Sequence, residues 1–319
     1  MGRYLVTGAA GFVGANVVMQ LLAQGEEVVA CDYADPPKRL LDESLDAGSV
    51  SWRRIDVSRP ERWMDISADG VGAVIHAAAL TTPEGDASPS GTAEVNLMGT
   101  LYAADWARAS GVERFVFTSS SAVYRHTDFG RPLREDDPVD PRFSYGLSKV
   151  VAEKYLDIYR EDMGLDVCSV RLPSVFGPWE RPTGSRTSMS PIYRLIRAAL
   201  AGCPLRVAGE DAGHDWTYAK DVARGLIHLA RGSGGPPLVN LSTGQFITLG
   251  EILEILDTLV PKNQIQFTDP SRADMVMTST SGGQPMDITR LAKTGFCVET
   301  SLREALEDYI EWICAERIL

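Results

Sequence analysis

The chain has 319 residues, of which 44% are hydrophobic and 23% charged, with a formal net charge of -12. These are values of a folded globular protein. No segment approaches the ~18 consecutive apolar residues of a membrane span, and no basic run offsets the acidic balance, so neither a membrane nor a nucleic acid is an expected partner. The five cysteines, Cys31, Cys168, Cys203, Cys297 and Cys314, are odd in number and widely spaced, which argues against a disulfide framework or a metal cluster. The opening "MGRYLVTG" lacks the basic, apolar, small-residue order of a signal peptide, so a cytoplasmic location is expected.

In chain order, "RYLVTG", "EEVVACD", "VSWRRID", "GAVIHAA", "RFVFTSS" and "LDVCSVRL" are short strand-like runs that end at small or polar residues. The stretches between them carry helical periodicity, as in Val17, Val18, Leu21 and Leu22. This alternation predicts an α/β fold of Rossmann type: a doubly wound, mainly parallel sheet with ligands at the carboxyl ends of its strands. After residue 172, Pro173, Pro178, Pro182 and Gly184 interrupt regular structure, and helical segments resume near "PIYRLIRAAL". The expected division is a dinucleotide-binding domain at 1–172, joined by 216–243, and a smaller interleaved substrate lobe from 173–215 and 244–319.

Three glycines, Gly8, Gly11 and Gly14, stand at three-residue spacing between the first strand and the first helix. There, backbone without Cβ lets a pyrophosphate approach free N–H groups. The same spacing alone would also suit a tight turn. Asp32 ends the second strand, where a carboxylate accepts bonds from ribose hydroxyls and repels a 2′-phosphate, so NAD is expected over NADP. Lys38 and Arg39 follow closely and could favour a phosphate instead. In "YGLSK", Tyr145 and Lys149 are four apart and share a helix face, as a proton-transfer pair would, and equally as an ordinary amphipathic turn would.

Taken together and in this order, "GAAGFVG", Asp32, Asp56, "HAAA", Asn96, the serine run "TSSSAVY" and "YGLSK" resemble the extended short-chain dehydrogenase/reductase family over essentially the whole chain. The resemblance implies that Tyr145 is the general acid/base and that Lys149 lowers its pKa and binds the nicotinamide ribose. A serine would hold the substrate oxygen: Ser120, with Ser121 as second choice. It further implies cofactor contacts from Phe12, Val13, Asp56, Val57, Ala77, Ala78, Ala79 and Pro173. For Asn96 it implies a helix kink or a bound water, with a plain surface asparagine as the other reading.

The substrate lobe departs from the family pattern. Its nucleotide-sugar enzymes usually carry Arg-x-x-Asn near the sixth strand, an arginine before an Asp-aromatic pair, and a further C-terminal arginine. This chain has Ser174, His214 and Met277 there. Thr81, Thr82, Ser121, Ser174, Arg181, Arg186 and His214 remain as candidate substrate contacts. The arginines with hydroxyls would suit a small anionic polyol. The first expectation is therefore an NAD-dependent dehydrogenase oxidising a secondary alcohol of a non-nucleotide sugar, sugar acid or hydroxy acid. An NDP-sugar 4-epimerase or dehydratase with tightly bound NAD is the alternative, and a non-catalytic dinucleotide sensor the third reading. The family also implies a homodimer formed by the helices before residue 112 and from about residue 144.

Overall fold

The computed structural model describes residues 2–124, 130–184, 186–278 and 284–316. Strands β1 (Arg3–Thr7), β2 (Glu27–Asp32), β3 (Val50–Arg54), β4 (Val71–His76), β5 (Arg114–Ser120) and β6 (Val167–Leu172) lie in one parallel sheet. Strand β7 (Ser174–Phe176) leaves it, and after β8 (Leu205–Ala208), β9 (Gly213–His214) and β10 (Trp216–Tyr218) the chain returns as β11 (Leu238–Asn240). The seven-stranded order is β11-β6-β5-β4-β1-β2-β3. It reverses direction between β1 and β4, which opens a crevice beyond their carboxyl ends, the place where such sheets take ligands.

Both faces of the sheet are covered, which is why its strands read as nearly unbroken apolar runs. On one face, helix α1 (Phe12–Ala23) turns Val17, Val18, Leu21 and Leu22 onto the sheet. A later helix that spans Ala219–Arg231 adds Val222, Leu226 and Ile227 to the same cluster. Each fully buried leucine of this kind contributes roughly 1.5–3 kcal/mol. Helix α2 (Lys38–Ala47) lies beyond β2. On the opposite face, α3 (Gly99–Ala109) and α4 (Ser144–Glu161) pack Ala103, Ala104, Ala107, Ala152 and Leu156 against Leu5, Val74, Phe115 and Phe117. The small alanines let these helices lie close to the sheet.

A second apolar cluster forms the smaller lobe. Helix α5 (Pro191–Ala201) starts where the Ser190 hydroxyl accepts the Tyr193 N–H at 3.1 Å and stops at Gly202 in the left-handed region, φ 62°. Next in the chain is the Ala219–Arg231 helix, α6. Helix α7 (Leu249–Leu259) begins with a reciprocal Thr248/Glu251 capping box, and α8 (Leu302–Glu316) follows. Ile192, Leu195, Ile196, Leu253, Leu256 and Tyr309 meet between α5, α7 and α8. Among the described residues no helix is long and apolar enough to cross a membrane.

Candidate active site

The turn from β1 into α1 is too closely packed for a side chain at Gly8 or Gly14. Gly8 sits at φ 64°, and its carbonyl accepts the Gly11 N–H at 2.9 Å. A Cβ on Gly14 would stand 2.0 Å from the Gly8 carbonyl oxygen. The glycines are therefore required by close packing of the turn on the helix, and the free N–H groups at the start of α1 face the crevice. A cavity of about 570 Å³ fills that crevice. Gly8, Gly11, Phe12, Val13, Gly14, Asp32, Asp56, Val57, Ala77, Ala78 and Ala79 all line it, as do Thr81, Arg181 and Arg186. Pro173 is not among its lining residues.

At one end of the cavity the Asp32 carboxylate accepts N–H groups from Ala10 at 2.9 Å and Ala34 at 3.0 Å. Burial pushes its pKa up; these backbone bonds and Arg181 pull the other way. The two cations behind it are committed elsewhere. Arg39 bonds Glu43 at 2.5 Å, and its guanidinium lies 5.7 Å from the rings of both Trp179 and Trp312. Lys38 reaches Asp42 at 3.0 Å in solvent. A carboxylate faces the cavity and Arg39 behind it is tied down, a setting that disfavours a 2′-phosphate.

Tyr145, Lys149 and Ser120 do not line this cavity; they group between the end of β5 and the start of α4, where Arg186 of the cavity wall lies near Tyr145. Strand alternation decides between neighbouring serines. Ser119 points away, to Glu153 at 2.5 Å, and Glu153 grips Arg171 through bonds of 3.0 and 2.7 Å. Ser120 faces the site, where its hydroxyl accepts the Ala122 N–H at 3.1 Å and hydrogen-bonds the Tyr145 phenol. It thus caps the short turn Ser121–Val123 as well as meeting Tyr145. Burial raises the Tyr145 pKa, while Ser120 and Arg186 pull it down and Asp86 pushes it up. The Tyr145 N–H is held by Asp86 at 2.9 Å, which fixes the first turn of α4.

Lys149 is almost fully buried, and burial lowers its pKa to about 7 against the upward pull of Glu153. Its ammonium donates to the Thr118 carbonyl at 2.7 Å and lies 5.8 Å from the centre of the Tyr145 ring. The structure therefore places the pair on one face of α4, as the spacing requires.

Other candidate residues separate by position. The Thr81 hydroxyl is buried and has no hydrogen-bond partner, whereas Thr82 turns outward to Asp86 at 3.0 Å. Arg186 bonds Glu180 at 2.7 Å and covers the Phe12 ring at 5.0 Å, and its buried Nε has no partner. Ser174 and His214 meet each other at 3.5 Å, and burial keeps the His214 pKa low, so it is neutral at pH 7. Ser174, His214 and Ser121 do not line the cavity. Asn96 is fully buried in a π-helical stretch, Ala93–Met98, where its amide bonds both backbone groups of Leu80 at 2.8 and 2.9 Å, so it is no surface asparagine.

Sequence reasoning missed Asp86, Glu180 and His76. Glu180 is fully buried and accepts bonds from Ser190 N at 2.6 Å, Ser190 Oγ at 2.8 Å, Arg186 and Tyr309 Oη at 3.0 Å. Its sequence signal was an acid beside Arg181 in a proline-rich turn. Among the described residues there is no group of three or more His, Cys, Asp or Glu side chains that could hold a metal ion.

The profile of the NAD dependent epimerase/dehydratase family matches residues 4–241. The chain belongs to that family. It is an NAD-dependent enzyme of the extended short-chain dehydrogenase/reductase type. It is 29% identical over 333 residues to the UDP-glucuronate 4-epimerase of Thermodesulfobacterium geofontis, covering 98% of this chain and 96% of the relative. Of solved structures, UDP-glucose 4-epimerase from Thermus thermophilus in complex with NAD is 26% identical, with a TM-score of 0.80 and coverage of 98% and 99%. MoeE5 in complex with UDP-glucuronic acid and NAD is 29% identical, with a TM-score of 0.76 and full coverage of both chains at 100%. The glycine turn that excludes a Cβ and the buried Asp32 fit NAD at this cavity.

Proposed function

We propose that this protein acts on a nucleotide sugar as a 4-epimerase or dehydratase, with NAD retained between turnovers. The observation that carries the reading is the grouping of Ser120, Tyr145 and Lys149 at the end of β5 and the start of α4, next to Arg186 of the cavity wall. The names of the relatives, two UDP-sugar 4-epimerases and MoeE5 with bound UDP-glucuronic acid, support a nucleotide sugar ahead of the non-nucleotide substrate expected first from the sequence. When bound, NAD supplies a reversible acceptor for the hydrogen of a secondary alcohol carbon.

Tyr145 takes the hydroxyl proton of that alcohol and can return it. Ser120 orients the oxygen through the hydroxyl that already meets the phenol. Lys149 supplies positive charge beside the ring, which favours the phenolate. Asn96 and Asp86 hold the helix start on which Tyr145 is carried.

A second reading, net oxidation of a small anionic polyol, is favoured by the lobe itself. Ser174 and neutral His214 pair with each other and Met277 is buried, so none offers a charge to a diphosphate. Arg186 instead presents an unused Nε beside the cavity. One experiment separates the two: UDP-glucose, UDP-glucuronate and a set of sugar acids are each incubated with the NAD-loaded protein. Epimerised or dehydrated nucleotide sugar without net NADH absorbance is the expected result. Stoichiometric NADH from a sugar acid, with no binding of UDP by calorimetry, would put the second reading first.

A further inference from the structure

His76 closes β4 and is fully buried beneath the cavity floor, with no place in the proton transfer just described. Its hydrogen bonds define a single protonation state. The Thr7 hydroxyl accepts the Ala78 N–H at 3.2 Å and shares the Ala77 N–H, also 3.2 Å away, with the Thr7 carbonyl. With its acceptor sites filled, that hydroxyl has only its proton left to offer, and it lies 2.8 Å from His76 Nδ1. On the other side the Thr100 hydroxyl donates to the Asn96 carbonyl at 2.6 Å, so it must accept from His76 Nε2 at 3.1 Å. The imidazole is therefore neutral and carries its proton on Nε2. Burial and the charge of Lys149 also oppose a second proton, lowering its pKa to about 3.

The chain of bonds continues in both directions. Toward the cofactor, Thr7 holds the backbone of Ala77 and Ala78, which line the cavity. Toward the chemistry, the Asn96 amide donates to Ser148 Oγ at 3.0 Å, and that hydroxyl donates to the Tyr145 carbonyl at 2.7 Å. Phe115 and Phe117 stack along the ring at centroid distances of 5.9 and 6.2 Å, so the imidazole cannot turn to other partners without disturbing the core.

We propose that His76 is a positioning residue: a neutral imidazole, locked between Thr7 and Thr100, that sets the cofactor floor on one side and the Tyr145 helix on the other. The second half rests on the reading of Tyr145 as the proton-transfer group; the first half does not. A protonated or rotated ring would need Thr7 to give up a backbone N–H, or Thr100 to release the Asn96 carbonyl.

The test needs no substrate. Histidine-selective ¹⁵N labelling, with His76→Gln to identify the resonance, should show His76 as the neutral Nε2–H form. Thr7→Val should abolish that fixed form and, by freeing the Ala77 and Ala78 backbone, weaken NAD binding about tenfold, or ~1.4 kcal/mol. Thr100→Val should leave the NAD Kd within about twofold and instead shift the phenolate absorbance titration of Tyr145 in the NAD complex, read against Tyr145→Phe. His76→Phe should show both effects, and His76→Gln, whose amide reaches Thr100, should recover the second.

The proposal is overturned if the resonance is Nδ1–H or doubly protonated at neutral pH. It is also overturned if the Thr7→Val and Thr100→Val proteins match the wild type in both NAD Kd and phenolate titration, or if both quantities move only in step with lowered Tm, as for a purely structural residue. Should Tyr145→Phe keep wild-type turnover, the reading of Tyr145 fails, while the tautomer and the NAD arm still decide the first half.

Discussion

Lys149 should cost the fold stability in return for its place beside Tyr145, and Lys149→Met exposes that cost. Burial moves the ammonium from an ordinary 10.5 to about 7. At ~1.4 kcal/mol for each tenfold change in acidity, this corresponds to about 5 kcal/mol against the charged form. Methionine fills similar volume without a charge, but leaves the Thr118 carbonyl without its 2.7 Å donor, a loss of roughly 1–3 kcal/mol. The net expectation is a gain of about 2–4 kcal/mol in the NAD-free protein, with turnover severely reduced.

The sign depends on pH. Below about 7 both folded and unfolded chains carry the charge, so the full cost is present. Between about 7 and 10.5 only the unfolded chain keeps its proton, and the cost fades as pH rises. Urea midpoints of both proteins near pH ~6 and pH ~10 measure this directly, provided the m-value is unchanged. A gain that is equal at the two pH values, or a loss at both, would refute the argument that a desolvated ammonium is the source.

Three further outcomes are expected. Tyr145→Phe should lose on the order of 10²- to 10⁴-fold in turnover while calorimetry finds NAD binding nearly unchanged; wild-type turnover would return the Tyr-Lys spacing to an ordinary helix. Asp32→Ala should narrow the preference for NAD over NADP in kcat/KM, though Arg39, pinned between two indoles, should give NADP little positive help; equal use of both cofactors by the wild type would contradict the role of Asp32. On α4, Leu147, Tyr155 and Ile158 are 53%, 45% and 42% exposed, with Phe143 just before the helix 53% exposed, which suits a helix-paired homodimer. The double substitution Leu147→Glu, Tyr155→Glu should therefore convert dimer to monomer by light scattering, and a wild-type monomer would remove the idea.

What could be read in advance follows from how local each requirement is. The glycine turn is encoded by neighbours, because the clash that forbids a Cβ at Gly14 comes from Gly8, six residues earlier. Tyr145 and Lys149 are set by one helix turn, whereas the choice of Ser120 over Ser121 came from the family resemblance. Asn96 was left open because a buried clamp and a surface amide have the same local spacing; the decision lies in Leu80 and Ser148, 16 and 52 residues away. Arg39 was legible as a charge near Asp32, but its partners Trp179 and Trp312 come from other parts of the chain, and no periodicity links them. Glu180 depends on Tyr309, 129 residues on. His76 was passed over within a run of alanines whose smallness drew the inference instead.

These distant contacts bear on how the cofactor is used. The segment after β7 forms part of the cavity wall: Asn16 donates to the Pro178 carbonyl at 2.8 Å, and Arg181 donates to the Ala10 carbonyl at 2.7 Å. Between them Trp179 takes φ 68°, a left-handed conformation that costs a non-glycine residue on the order of 1–3 kcal/mol. Its buried ring is compensated by Arg39 and by edge contact with Trp312 at 5.6 Å. Glu180 then ties the same segment to Ser190 and Tyr309 in the smaller lobe. Arg181 and Arg186 of this segment line the cavity, so one cavity wall is tied to both lobes. An enzyme that exchanges its cofactor every turnover needs a wall that opens each time, whereas one that restores its cofactor on the substrate does not. Retention of NAD by this wall is therefore a separate expectation of the proposed cycle: NAD should stay with the protein through gel filtration, and loss of NAD on that column would count against it.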